Sequence, residues 1–258
     1  MAFSEVMKEG IKSVYSSDME TQKDYMDFIC KRVRGMSSSD IVFRASGVFV
    51  PNNEYLQKFY PVEIINPDYG VYDSNGNCLW QGFIIFPIKN VVGDIVGLAG
   101  FSPQRYVEAH ENQDWSINYY TYSTKKVFEK GKYLYCLDGV YRSALKDGYV
   151  LLVDGLFDCL SLTSEGYNAV ALLGSSPTEE IIAQLRFINK VIIISDNDDA
   201  GIRLEHALQK KLKNVIFLHQ GKTKDVDELL KTEEKEIFKK TLNTAIKETL
   251  LLNKSAIF

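Results

Sequence analysis

From Tyr149 onward the chain alternates short apolar runs with helix-patterned segments, and few folds accept that rhythm. Tyr149 to Val153, Ala169 to Leu173, Val191 to Ser195 and Val215 to Leu218 read as buried strands. Between them, Phe157 to Glu165, Thr178 to Ile188 and Ala200 to Lys213 read as helices. The alternation predicts a parallel sheet with right-handed crossovers, an α/β fold. One strand stops on Asp154-Gly155 and another on Asp196-Asn197-Asp198. Ligands of open parallel sheets bind at the carboxyl edge of the strands, so this pattern gathers carboxylates on one rim with nothing basic among them. Clustered acids of this kind call for a divalent cation.

Local signals agree with the alternation. Gly166 suits a left-handed helix stop, and Ser176-Pro177-Thr178-Glu179 combines an N-cap serine, a first-turn proline and a capping-box glutamate. Ile181, Ile182, Leu185 and Ile188 form one buried stripe, and Leu204, Leu208 and Leu212 another. In the tail, Phe238, Leu242, Ile246 and Leu250 recur at helical spacing and predict a helix that packs back on the body.

The first half has a different texture. Tyr25, Phe28, Ile29 and Val33 predict a helix that closes at Gly35, with Lys31, Arg32 and Arg34 suited to its carboxyl end. From Ile41 to Phe101 short β-type runs are broken by turns at Asp73-Ser74-Asn75-Gly76 and Gly93-Asp94, which predicts antiparallel structure. Gln104 to Ser116 is polar and reads as an irregular loop bordering a groove.

The chain has 258 residues, 45% hydrophobic and 25% charged, enough to bury a core and without low-complexity tracts or repeats. No apolar run is long enough to span a bilayer and the first residues lack a signal-peptide layout, so the expected location is cytoplasmic, with no membrane partner. Cys30, Cys78, Cys136 and Cys159 include no C-x-x-C pair, which argues against a zinc ribbon and predicts plain thiols. A net charge of −4 does not mark a nucleic-acid binder, yet Lys125, Lys126, Lys130, Lys132, Arg142 and Lys146 crowd together ahead of the acidic half.

The segments 150–158, 170–176, 194–201 and 224–228, bearing Asp154-Gly155, Asp158, Gly174, Asp196-x-Asp198-x-x-Gly201, Asp225 and Asp227, resemble in order and spacing the Toprim domain of bacterial DnaG-type DNA primases. Phe86-Pro87-Ile88, Gly93, Gly97-x-x-Gly100 and the run from Phe128 through Lys130 to Tyr135 resemble the basic subdomain that precedes it. The resemblance implies an amino-terminal basic α+β subdomain over 1–148, a Toprim catalytic domain over 149–231 and a helical tail over 232–258. It also implies a compact primase, without the family's zinc ribbon and full helicase-binding domain, that synthesises RNA primers on single-stranded DNA.

On that resemblance Asp154, Asp196 and Asp198 are catalytic, and Asp154, Asp196, Asp198, Asp225 and Asp227 hold Mg²⁺ or Mn²⁺, two ions or more, with no zinc. Lys130, Gly155 and Asp158 contact nucleotide or template. Nucleotidyl transfer explains why: divalent ions must stabilise both the entering and the leaving oxygen of an in-line displacement. Asp196 and Asp198 suit that task, while Asp199 suits the dipole of the next helix. Expected partners are the template strand, ribonucleoside triphosphates, a replicative helicase and a separate zinc-binding or helicase-docking protein; such a trimmed core fits a phage or mobile element.

The sequence departs from the family in places. Asp154 stands where most members carry glutamate, Phe101 where arginine is usual and Asn118 where lysine is usual. Tyr119, Tyr120 and Tyr122 offer stacking surfaces for unpaired bases, or half-buried sheet positions. A Toprim nuclease and a non-catalytic Toprim protein that binds nucleic acid or the replisome are the alternative functions.

Overall fold

A computed structural model describes residues 67, 70–77, 79–80, 83–125, 128–173, 176–196, 198–219 and 226–254. The helix expected around Tyr25 to Val33, most of the stretch from Ile41 to Gly82, Asp225, Cys30 and Cys78 lie outside them.

Two sheets build the described fold. In the first, β1 (Ile84–Lys89) and β2 (Ile95–Phe101) pair antiparallel, and β3 (Tyr120–Tyr122) adds to the far side of β2. The β1–β2 turn is held by Asn90, whose side-chain oxygen accepts the N–H groups of Val92 and Asp94 at 3.1 and 2.9 Å. Between β2 and β3 lies a helix, α1 (Pro103–Glu111), where the polar composition of 104–116 predicts a loop. The reason is local: Ser102 accepts the Arg105 N–H at 3.3 Å and Pro103 pre-sets the first turn. Ala109 is fully buried, so a small residue suffices to seat this largely polar helix.

The second sheet is parallel, in the order β5-β4-β6-β7, from β4 (Tyr149–Val153), β5 (Ala169–Ala171), β6 (Lys190–Ile194) and β7 (Val215–Phe217). The strands are linked by α3 (Leu156–Ser164), α4 (Glu179–Leu185) and α5 (Asp199–Lys211), as the alternation predicts. The α3 helix gives way at Gly166 with φ of 88°. The α4 cap differs from the expected one: Thr178, not Ser176, accepts the Ile181 N–H, and the helix starts at Glu179, so Pro177 precedes the cap. Ahead of the sheet lies α2 (Leu137–Asp147), unforeseen in the sequence, and after it come α6 (Val226–Leu229) and α7 (Lys235–Lys254).

Alternate residues of each strand enter opposite cores. Val150, Leu152, Val170, Leu172, Val191 and Ile193 pack against Leu137, Val140 and Ala144 of α2, Ile181, Ile182 and Leu185 of α4, and Leu208 of α5. Leu151, Val153, Ala169, Ala171, Ile192 and Ile194 pack against α3 and against Phe238, Leu242 and Ile246 of α7. Strands buried on both faces are what continuous apolar runs encode. The tail is also tied by charge: Lys235 and Lys239 each reach a different oxygen of the buried Glu165 carboxylate at 2.7 Å.

An aromatic joint unites the sheets. The Phe157 ring of α3 meets Phe101 at 4.8 Å and Phe86 at 5.7 Å, both edge-on, and Tyr119 and Tyr120 pack around Phe101 from the other side. Tyr120 and Tyr122 are half-buried sheet residues, and Tyr119, also half-buried, lies just ahead of β3. Each well-oriented aromatic pair adds ~0.5–1.5 kcal/mol beyond area burial, so Phe101, 0% exposed, is a structural keystone. Phe101→Arg would bury an unpaired charge and is expected to lower unfolding free energy by about 4 kcal/mol in urea titrations, whereas Phe101→Leu, which keeps an apolar group but loses the ring contacts, is expected to cost about 1–3 kcal/mol.

Candidate active site

The strand order reverses at β4. The chain leaves β4 for β5 on one side and returns to β6 on the other, so the carboxyl ends of β4 and β6 lie side by side at a topological switch point. Val153 at the end of β4 pairs with Ile194 at the end of β6, which puts Asp154 next to the turn that carries Asp196 and Asp198. Asp154 Oδ2 accepts the Asp196 N–H at 3.2 Å. The turn then tightens: the Asp198 N–H donates to the Asp196 carbonyl at 2.9 Å, and Asp198 Oδ1 accepts the Gly201 N–H at 2.9 Å, capping α5. Asp199 occupies the first turn of α5, as expected for a residue that complements the helix dipole.

Gly201 has a steric reason to be glycine. A Cβ there would fall on the Asp196 carbonyl oxygen, so the helix can approach the acidic turn only without a side chain. At Gly155 φ of −103° and ψ of 150° are open to any residue. Its constraint is space instead: a Cβ would fall on Asp158 Oδ2.

Electrostatics confirm that the rim is crowded with negative charge. Burial pushes the Asp154 carboxyl above its ordinary value, the charges of Asp198 and Glu205 push it the same way, and the Asp196 N–H bond opposes them. Glu205 belongs to this cluster although the sequence reading passes over it. It lies two helical turns beyond Asp198, accepts the Ser195 hydroxyl at 2.5 Å and keeps 15% of its side chain exposed. That i+7 spacing along an α5 face is the signal that could have found it.

Asp158 and Asp227 are drawn together elsewhere. Asp158 Oδ1 accepts the Asp227 N–H at 2.8 Å, and Asp227 takes the Ser161 hydroxyl on one oxygen at 2.7 Å and the Lys231 ammonium on the other at 2.8 Å. Both are buried, at 7% and 3% exposure, and they join α3 to α6. Asp225 lies outside the described residues.

Lys130 sits in a 3-10 turn, Lys130–Lys132, with its ammonium 4.6 Å from the centre of the Tyr122 ring. Desolvation lowers the Lys130 pKa, and burial raises the Tyr122 phenol to about 12, so the ring beneath the ammonium is neutral at physiological pH. The turn is pinned to α4: Thr178 Oγ1 donates to the Gly131 carbonyl at 2.7 Å and Gln184 donates to the Lys132 carbonyl at 2.8 Å. Lys125, Lys130 and Lys132 line an open cavity of 680 Å³ with Tyr122 and Thr178. Arg142 and Lys146 instead occupy the exposed face of α2, so the basic run divides between two surfaces.

The donors at the rim are carboxylate oxygens. Among the described residues no three His, Cys, Asp or Glu side chains form a ready metal cage. A hard cation such as Mg²⁺ needs no such cage, because one or two carboxylates are completed by water and substrate phosphate. The residues present thus fit a divalent ion, whose charge would relieve the crowding at Asp154.

Residues 151–230 match the Toprim-like family. The chain is 33% identical over 206 residues to a DNA primase of Buchnera aphidicola, 74% of this chain and 33% of that one. It is 29% identical over 262 residues to the DNA primase of Thermotoga maritima, covering 95% of this chain and 44% of the relative. It thus spans less than half the length of these relatives. Among solved structures, the zinc-binding and RNA polymerase domains of Aquifex aeolicus primase superpose with a TM-score of 0.74 at 23% identity, over 93% of this chain and 60% of that one. A DnaG primase catalytic domain bound to single-stranded DNA gives 0.70 at 23% identity, over 93% and 80%.

Raised above the unfolded value of about 3.9, the Asp154 carboxyl binds more protons folded than unfolded in the window between the two pKa values. Stability of the metal-free protein therefore falls as pH rises through that window, and Asp154→Asn is expected to remove the loss, read as urea midpoints at pH 4 and pH 7. Gly201→Ala should cost about 1–3 kcal/mol in the same titration by forcing the acidic turn aside. The chain carries a Toprim-like domain at residues 151–230 and is similar to bacterial DNA primases over part of their length.

Proposed function

We propose that this chain is the catalytic core of a primase, a DNA-directed RNA polymerase that joins ribonucleotides into short primers on single-stranded DNA. The observation that carries the reading is the meeting of Asp154 with the Asp196–Asp198 turn at the switch point of the sheet. Asp154, Asp196 and Asp198 are proposed to hold Mg²⁺ or Mn²⁺. Bound there, divalent ions supply charge neutralisation at the α-phosphate and ease ionisation of the 3′ hydroxyl.

The chain's own groups do the rest. On the family resemblance Asp154 serves as a metal ligand or as the acid-base carboxylate that takes up the proton of the attacking hydroxyl. Lys130 is a compact cation fixed over Tyr122 and faces a cavity, where it suits triphosphate oxygens or template phosphate. In this reading Asp158 and Asp227 act through the buried contact that sets α6 against α3, and Asp225 is a further ligand of the ions. A replicative helicase and a zinc-binding or helicase-docking protein complete the proposed set of partners.

The test is a gel assay of the protein with single-stranded DNA, ribonucleoside triphosphates and Mg²⁺ or Mn²⁺. Short RNA is expected, falling at least about 100-fold in Asp196→Ala and in Asp198→Ala. Shortened DNA without RNA would identify a Toprim nuclease. Absence of both products, with no metal-induced rise in thermal midpoint, would identify a non-catalytic Toprim protein, since a ligand at a hundred times its Kd adds about 2.7 kcal/mol to folding.

A further inference from the structure

At the opposite, amino-terminal rim of the parallel sheet, the loops entering β6 and β7 enclose a cleft of 530 Å³ between the ends of α4 and α5. Its floor is apolar: Ile188 and Leu212 are 1% and 3% exposed. Its rim is cationic, with Arg186, Lys211 and Lys213, and none of the lining residues is acidic. Phe187 stands at the edge with 73% of its surface in water and lines the same cleft as Ile188 and Leu212, so it extends the apolar floor to the surface. The two walls are pinned together, because the Asn214 side chain donates to the Ile188 carbonyl at 2.5 Å.

Structural duties account for only part of this charge. Lys210 and Lys211 lie in the last turn of α5, where they complement the helix dipole, and Lys211 also pairs with Glu179 at 2.9 Å. Arg186 and Lys213 form no ion pair among the described residues, although the protein as a whole is acidic at −4. Unpaired cations around an apolar floor, beside an exposed aromatic ring, are the complement of an acidic segment with an apolar side chain.

We propose that this cleft docks an acidic peptide segment of a partner protein, anchored by one aliphatic or aromatic side chain between Phe187 and Leu212 and by carboxylates on Arg186 and Lys213. Peptide is favoured over nucleic acid by the last-turn carbonyls of α4 and α5, which lie at this edge and accept the N–H groups of a peptide main chain, donors that a phosphate backbone lacks; Arg186 and Lys213 offset the partly negative helix ends for the peptide's carboxylates. The cleft faces away from the acidic rim, so a partner seated in it leaves the Asp154, Asp196 and Asp198 site open. The inference holds whichever reaction that site performs.

The test uses the full chain and a fluorescein-labelled peptide of alternating Asp and Glu ending in Leu-Phe, read by anisotropy, with ¹⁵N-resolved chemical shifts mapping the contact. Saturable, salt-sensitive binding is expected, with shifts centred on residues 186–189 and 211–214. Joint reversal, Arg186→Glu with Lys213→Glu, should weaken it at least about 10-fold, and Phe187→Ser a further ~10-fold, with thermal midpoints unchanged because these side chains are exposed. A control peptide ending in Gly-Gly should bind as weakly as Phe187→Ser does. Three results would overturn the proposal: no saturation at millimolar peptide, wild-type affinity in the charge-reversed variant, or displacement of the peptide by single-stranded DNA.

Discussion

The arrangement depends on a contact that electrostatics alone would oppose. Asp154 is brought against the Asp196 turn, within reach of the charges of Asp198 and Glu205, in a partly buried setting. Two like charges 4 Å apart repel by ~1 kcal/mol in water and by ~4 kcal/mol at the effective dielectric near a protein surface. Only a rigid scaffold holds them there. The β4–β6 ladder, continuous from Tyr149 with Lys190 to Val153 with Ile194, and the apolar cores on both of its faces provide that rigidity. A divalent cation at the rim would relieve this repulsion, which is why the proposed function places one there.

The antiparallel sheet serves this centre from a distance. Through Phe157 it packs on the helix that follows Asp154, and through Thr178 and Gln184 the Lys130 turn is fixed to the helix that precedes β6. A flexible lysine is thereby held in place by backbone hydrogen bonds and one aromatic ring. Phe101, fully buried, joins the two sheets through its ring contact with Phe157.

The parallel half was legible because its strands are buried on both faces and carry that burial as unbroken apolar runs, as in Val150 to Val153 and Val191 to Ile194. The tail helix was legible for a related reason: Phe238, Leu242 and Ile246 point into one core. α1 was hidden by its polarity, although Ser102 and Pro103 are a cap and first-turn pair that composition alone overlooks. α2 was hidden by its start, where Cys136 takes a left-handed conformation, φ 64°, and offers no side-chain cap. At the site, strand ends located Asp154, Asp196 and Asp198. The buried contact between Asp158 and Asp227 depends on how helices face one another, which spacing within one segment does not encode, whereas Glu205 stands seven residues from Asp198 along one helix and was open to a reading by spacing.

A crystal of the protein soaked in Mn²⁺ with a ribonucleoside triphosphate, examined by anomalous diffraction, tests the central claim most directly. The account predicts manganese peaks bridging the carboxylates of Asp154, Asp196 and Asp198 and the nucleotide phosphates. Nucleotide bound with no anomalous peak at that rim, or manganese held by other side chains alone, would contradict it.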